Sequence, residues 1–295
     1  MRRERGIALI QVLLVTGIIA LLMLQMGLTA REQVARAQAL VDRAEVQLAA
    51  QSRESALLYT LLTEQLVRVP DSGNPYVAAW NFHGEPFTVD GITFSIQDES
   101  GRMRVPLLDS RDFESMLHSL GVEPARAKAL GRELMTLQGA IPAQRALGEE
   151  VARQGSIAAG KYPLQDVGEL RLLPSMDEEL YRRLRPLLTL YPTPGFNPLT
   201  APSALLDAQM TKSQVTGVVD ARGKGALDAG TLWKLTGAQG DEETVLLPGP
   251  GLTVHLEMEL RGRRAVRTTT VIVRPYTTDP LGVWQRSTGR DQDIG

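Results

Sequence analysis

Polarity along the chain falls into three textures. The first is an apolar run from Ile7 to Ala30 without a charged residue. At about 1.5 Å per residue it is long enough to cross a hydrocarbon layer of roughly 30 Å as one helix. It passes without a break into an amphipathic stretch from Arg31, where apolar positions step by seven from Val34 through Val41 to Leu48. They then step by four through Leu58, Leu62 and Leu66. The spacing predicts one helix from Ile7 to Val69 whose second half packs on the protein's own sheet. Because the step changes, a sustained heptad for coiled-coil pairing is lacking. Pro70, Gly73 and Pro75 supply the stop.

The second texture is alternation. Phe87 to Gln97 alternates about Asp90-Gly91, a pair suited to the positive φ angles of a tight hairpin turn. Leu252, Val254, Leu256, Met258 and Leu260 fall on one face of a second strand. After Arg261-Gly262-Arg263 the chain returns through Ala265 to Arg274. This alternation predicts an antiparallel sheet with one wet face. From Pro275 to Gly295 the chain is polar and aperiodic, and is expected to form a loose tail.

The third texture lies between the hairpins. From Asp109 to about Lys234 short helical runs, such as Arg111–Leu120 and Pro124–Leu137, are broken by Pro and Gly. A helical block is therefore inserted within a sheet whose halves flank it. The expected fold class is α+β: a long helix on an antiparallel sheet, with a large helical insertion.

Composition narrows the chemistry. The chain has 295 residues, a formal net charge of −2 and no Cys. The length beyond the apolar run suffices for two modest domains, and no disulfide can staple them. Near-neutral charge argues against binding nucleic acid through phosphate contacts. His83, His118 and His255 are scattered over different predicted elements, so neither a zinc site nor a Ser-His-Asp triad has credible spacing. Gly217 to Lys224 has one residue too many between its glycines for a phosphate loop, and Gly225 replaces the needed hydroxyl. No enzyme is expected.

The amino terminus decides between anchor and signal. A secretory signal has an apolar core of roughly 7–15 residues followed by a small-residue cleavage site. Here the run is longer, Gly27 to Ala30 makes a poor site, and the helix continues beyond it. The small residue stands instead before the run, at Gly6, after a leader carrying Arg2, Arg3 and Arg5. A basic leader also satisfies the positive-inside rule, placing the amino terminus in the cytoplasm and everything after Ala30 across the membrane.

That order resembles the leader of type IV pilins and type II secretion pseudopilins. The resemblance implies a prepilin peptidase cut between Gly6 and Ile7, methylation of the new amino terminus at Ile7, and a pilin-like fold. The fifth mature residue is Gln11, where most of these proteins carry Glu. Its absence is a habit of the minor pseudopilin K. Two passages add to the likeness. Ser95 to Val105 contains Asp98-Glu-Ser-Gly-Arg102, similar to that family's turn into its helical domain. Tyr162 to Leu184, followed by Asn197-Pro-Leu-Thr-Ala-Pro202, is similar to its helical signature and closing motif.

The resemblance implies a cleaved leader 1–6, a membrane and assembly segment 7–30, pilin-like parts 31–103 and 207–274 around a helical domain 104–206, and a flexible tail 275–295. It also implies an inner-membrane, single-pass protein that joins minor pseudopilins I, J and H at the tip of a periplasmic pseudopilus, served by the prepilin peptidase and the inner-membrane assembly platform. Members of the family carry calcium in the pilin-like part. Asp241, Glu242 and Glu243 form the densest acidic loop near the sheet and are the calcium candidates. Otherwise no cofactor is expected.

Two other readings stay open: a membrane-anchored adaptor that binds exported substrate, and a DNA-uptake factor. The second rests on stretches from Glu169 and from Ala208 that resemble helix-hairpin-helix units. Ser175 occupies the glycine position there, and Asp177, Glu178 and Glu179 crowd the helix start where phosphate would sit. Ser175 before Glu178 reads instead as a capping box.

Overall fold

A computed structural model describes residues 4–138, 164–193, 195–225, 227–237 and 247–289. Helix α1 runs from Glu4 to Thr63, roughly 90 Å at 1.5 Å per residue. Every residue from Gln11 to Gln38 is exposed, so the first half stands clear of the body. The second half buries Val46, Ala50, Leu57, Leu58 and Leu61. The first half of the expected stripe is thus displaced, with Val34, Val41 and Leu48 exposed, whereas Leu58, Leu62 and Leu66 do pack on the core. The buried face passes through Glu54, a carboxylate that hides it from a hydrophobic count.

Helix α1 also stops six residues before the expected Val69. The Val67 carbonyl accepts the Trp80 indole N–H at 3.1 Å, and the Val69 amide donates to Val77 at 3.2 Å. These bonds tie residues 64–69 to the short helix α2 (Pro75–Ala79), and a continued α1 would carry both groups away from their partners. Asn74 caps α2 by accepting the Tyr76 amide.

Strands β1 (Phe87–Val89) and β2 (Ile92–Asp98) form the expected hairpin, with Val89 opposite Ile92. Asp90 and Gly91 both have positive φ, 51° and 74°, as a two-residue turn of this hand requires. The chain then leaves the sheet for the helical block. That block comprises β3 (Met103–Arg104), α3 (Ser110–Ser119), α4 (Pro124–Leu137), a 3-10 turn at Val167–Leu172 and α5 (Glu178–Leu184). It continues with β4 (Leu188–Thr189), parallel to β3, then α6 (Ser203–Gln209), α7 (Lys212–Gly223) and α8 (Ala229–Thr236).

Phe113, Leu117, Leu130, Leu134 and Leu184 are the centre of the block's core. Val215, Val218 and Leu232 belong to the same core. The helical block therefore extends past the expected limit at 206, through α7 and α8. The reason is that α7 packs on α6 and α8 on α7, while α6 rests on α3, so these helices join the block rather than the sheet.

The sheet resumes as β5 (Gly251–Leu260), β6 (Arg263–Val273) and β7 (Leu281–Gly289), in the order β1-β2-β5-β6-β7 with every neighbouring pair antiparallel. Arg261 and Gly262 repeat the positive-φ turn. Phe94, Ile96, Leu252, Val254, Leu256 and Val271 pack beneath α1 as a second core. The stretch expected as a tail holds β7, which pairs with β6 across a bulge at Thr270/Val271. Its side chains are mostly exposed, so it lacks the alternation that marked the other strands.

Candidate functional site

The residues expected to act in processing and assembly lie at the start of α1: Gly6 and Ile7 within its opening turns, and Gln11 one turn on. From Val12 to Leu28 the large apolar side chains point outward without a partner, Met23 and Met26 being 69% and 74% exposed. Mean hydropathy reaches 2.2 in this helix, which is long and apolar enough to cross a membrane. The two threonine hydroxyls of the apolar run are satisfied locally. Thr16 donates to the Val12 carbonyl at 2.7 Å and Thr29 to the Gln25 carbonyl at 2.9 Å, as an apolar surrounding demands. The surface can meet lipid tails or other apolar helices with equal ease.

The other half of α1 is fixed to the sheet by charge as well as by packing. Glu54 is buried and takes both Nε and Nη2 of Arg267 on its Oε2, while Thr269 donates to its Oε1. At the rim, the two tight turns each send one residue to the helix. Asp90 pairs with Arg53 at 3.1 Å and Arg261 with Glu45 at 2.5 Å. These exposed pairs contribute roughly 0–1 kcal/mol each. Their effect is registration, since the two hairpins are held against positions about two turns apart on one helix.

Where the helical block leaves and re-enters the sheet, the Asp98–Arg102 and Asn197–Pro202 motifs close on each other. Asp98 Oδ2 accepts from Thr200 Oγ1 at 2.8 Å and from Asn197 Nδ2 at 3.2 Å, and its Oδ1 accepts the Ser100 amide at 2.9 Å. The Asn197 amide donates to the Ser100 carbonyl at 2.7 Å, and Gln97 Nε2 reaches the Thr200 carbonyl at 3.0 Å. Burial pushes the Asp98 carboxyl up, and these donors oppose that shift. Gly101 leaves no room for a side chain, because a Cβ there would lie 2.3 Å from the Thr200 carbonyl oxygen. The motifs are thus the root of the insertion, one strand end locked to one loop about a hundred residues later.

The hairpin-like stretch from Glu169 is committed elsewhere. The Ser175 amide donates to Glu133 at 3.0 Å and its hydroxyl to the same carboxylate at 2.7 Å. The expected capping box at Ser175 does not form. Asp177 caps α5 by accepting the Leu180 amide, since it stands two residues nearer the helix, and it also pairs with Arg126. Asp241, Glu242 and Glu243 lie outside the described residues, and among the described residues no three acidic, histidine or cysteine side chains converge as a metal site.

Sequence reasoning finds Asp98, Asn197 and Thr200 without pairing them, and misses Glu54 and Arg267 altogether. The first three carry a signal in flanking the insertion on either side. The buried ion pair carries none, because each partner lies in a segment that otherwise has ordinary surface polarity.

A long helix half-bare and half-seated on an antiparallel sheet, with a helical body rooted between two strands, defines a pilin-like protein with an inserted helical domain. Residues 97–193 match the family model described as type II secretion system (T2SS), protein K. The type II secretion system protein K of Klebsiella pneumoniae is 31% identical over 205 residues, covering 62% of this chain and 62% of that protein's length. A chain of the crystal structure of the GspK-GspI-GspJ complex from the enterotoxigenic Escherichia coli type 2 secretion system shares the fold. It matches with a TM-score of 0.50 and 18% identity over 88% of this chain and 99% of that chain. The likeness to type II secretion system protein K thus spans the root of the insertion and the first part of the helical block, and the chain covers less than two thirds of the length of the Klebsiella relative.

Proposed function

We propose that the protein is a minor pseudopilin of a type II secretion system, stored in the inner membrane and assembled at the tip of a periplasmic pseudopilus to initiate it and support protein export. The observation that carries this reading is the division of α1: Gln11 to Gln38 is exposed throughout, while Val46 to Leu61 is fixed beneath the sheet. An apolar helix on a rigid body can exchange lipid for neighbouring helices with little change in the apolar surface it buries, because dispersion and packing drive such association in lipid. Extraction from the bilayer is then offset by helix contacts in the fibre. The protein is an assembly part in this reading, with no catalytic role.

Maturation begins with prepilin peptidase cleavage between Gly6 and Ile7 and methylation of Ile7. At Gln11 there is no carboxylate to pair with the amino terminus of a subunit above, which suits a terminal position. The helical block would obstruct addition of a further subunit there. The related complex contains GspI and GspJ beside GspK, and the corresponding I and J proteins, with H and the inner-membrane assembly platform, are the partners proposed here. Calcium belongs to the proposal as a ligand of Asp241, Glu242 and Glu243, whose carboxylates supply the oxygen donors it prefers. A thermal melt indifferent to calcium removes that element.

The test is mass spectrometry of the protein from cells with and without the peptidase. A methylated start at Ile7 that depends on the peptidase is expected. An intact Met1, or a start near Arg31, overturns the reading.

A further inference from the structure

A cleft of about 860 Å³ separates the sheet side of the molecule from the helical block. Its apolar walls include Phe82, Phe87, Leu199, Val219 and Leu227. Arg222, in the last turn of α7, projects into this cleft and is largely buried. Its Nη2 donates to the Pro198 carbonyl at 2.9 Å, while its Nε, closed off from solvent, has no acceptor among the described residues. No ion pair holds its charge among the described residues, although Glu85 also lines the cleft. The remaining acid in the lining, Asp228, is engaged as the cap of α8.

The electrostatics agree with this geometry. Burial pulls the Arg222 guanidinium down to about 10, and burial with the facing Arg222 charge holds His83 at about 4. A cation thus sits beside a neutral imidazole in apolar walls. Such a cation is expensive unless paired. A second guanidinium, that of Arg68, reaches the rim within 3.8 Å of the place a Cβ on Gly225 would take.

We infer that this cleft is a docking site for a peptide segment of another protein, one that presents a carboxylate next to an apolar side chain. The carboxylate would pair with the Arg222 guanidinium in a charge-assisted bond, and the apolar side chain would lie on the Phe82 and Phe87 wall. Charge complementarity selects the occupant: the unpaired guanidinium disfavours a purely apolar ligand, and the walls disfavour a fully hydrated one. The inference does not depend on the assembly role proposed above.

The probe is 3-(4-fluorophenyl)propanoate, which joins a carboxylate to an apolar ring, set against its neutral amide. Fluorine line widths are followed on the full chain in detergent micelles, with protein-free micelles subtracted. The acid is expected to bind at least tenfold more tightly than the amide. Arg222→Met should abolish that preference, Arg222→Lys should retain part of it, and Val219→Phe should block both ligands. Should Arg222→Met fail to fold, the Arg222→Lys and Val219→Phe variants still decide. Equal binding of acid and amide, or no binding of either, overturns the inference. So does binding seen only after Asp241, Glu242 and Glu243 are changed to Ser, which would make the chain's own loop the occupant.

Discussion

Arg267 of β6 holds Glu54 of α1 through two nitrogens on one carboxylate oxygen, at 2.9 and 2.7 Å, with both side chains almost wholly buried. The pair lies between the apolar layers that join helix to sheet, where removing one partner leaves a charge in a low-dielectric interior. Such a loss costs about 3–5 kcal/mol, whereas replacing both partners by apolar residues is often neutral. Arg267→Met or Glu54→Leu should each lower the thermal midpoint of the full chain in micelles substantially. The double change Glu54→Leu with Arg267→Met should recover most of the loss. A double change whose effect equals the sum of the singles would show that the two residues act independently.

The root of the helical block allows a steric test and a hydrogen-bond test of the same joint. Gly101→Ala drives a methyl against the Thr200 backbone, and backbone on both sides leaves little freedom to yield. Overpacking of this kind costs about 1–3 kcal/mol. Thr200→Val keeps the shape and removes a donor from the buried Asp98 carboxylate, for about 1.5–3 kcal/mol. Both variants should expose the joint to limited proteolysis between Gln97 and Val105 before the sheet melts. Unchanged cleavage there would show that the joint does not set the stability of the insertion.

How much of the fold is legible in the sequence depends on whether a single segment carries its own reason. Asp90-Gly91 and Arg261-Gly262 turn where their local chemistry says they must, and β5 buries the five-residue alternation that marks it, Leu260 only in part. The end of α1 escapes a local reading because Trp80 and Val77, beyond the breakers, draw residues 64–69 out of the helix. The stripe on α1 escapes it because its centre is Glu54, which is apolar in effect only when Arg267 is present. The root needs two motifs a hundred residues apart to be joined, and no local rule does that.

His83 gives a pH dependence of definite sign. Its imidazole titrates at about 4 in the folded chain, held down by burial and by Arg222, against an ordinary 6.5. Below 6.5 the unfolded chain binds a proton that the folded chain resists, so stability is complete above that value. It is lost as pH falls towards 4. The full loss is roughly 2–3 kcal/mol once residual solvent access is allowed for. His83→Gln, which cannot titrate, should flatten this part of the profile. The measurement is the difference between the two melting curves across pH 4 to 7, in which the opposite trend from Asp98 cancels. A constant difference would mean that His83 does not feel the cleft.

The last strand is the part of the fold that polarity conceals, and its contacts show why it stays in place. Trp284 of β7 stacks on Tyr191 with ring centroids 4.7 Å apart and planes 8° from parallel, and the Tyr191 hydroxyl donates to Gln285 at 2.8 Å. Tyr191 follows β4, so this stack joins the sheet edge to the helical block on the side opposite β1. Gly251 lies beneath the indole, with space for no more than a hydrogen, a Cβ there coming within 3.0 Å of the Trp284 ring. Trp284→Ala should therefore cost about 0.5–1.5 kcal/mol from the lost stack, in addition to the buried area. Gly251→Ala should cost a similar amount by displacing the ring. Ending the chain at Pro280 is a harsher change, because it strips β6 of its outer neighbour and leaves a row of unpaired amides and carbonyls along Val266 to Val273. An open edge of that length pairs with other chains. The shortened protein should remain folded beneath α1, where the core is unaltered, yet associate in light scattering as the full chain does not. A shortened chain that stays monodisperse would show that β7 serves only to hold Trp284 against Tyr191.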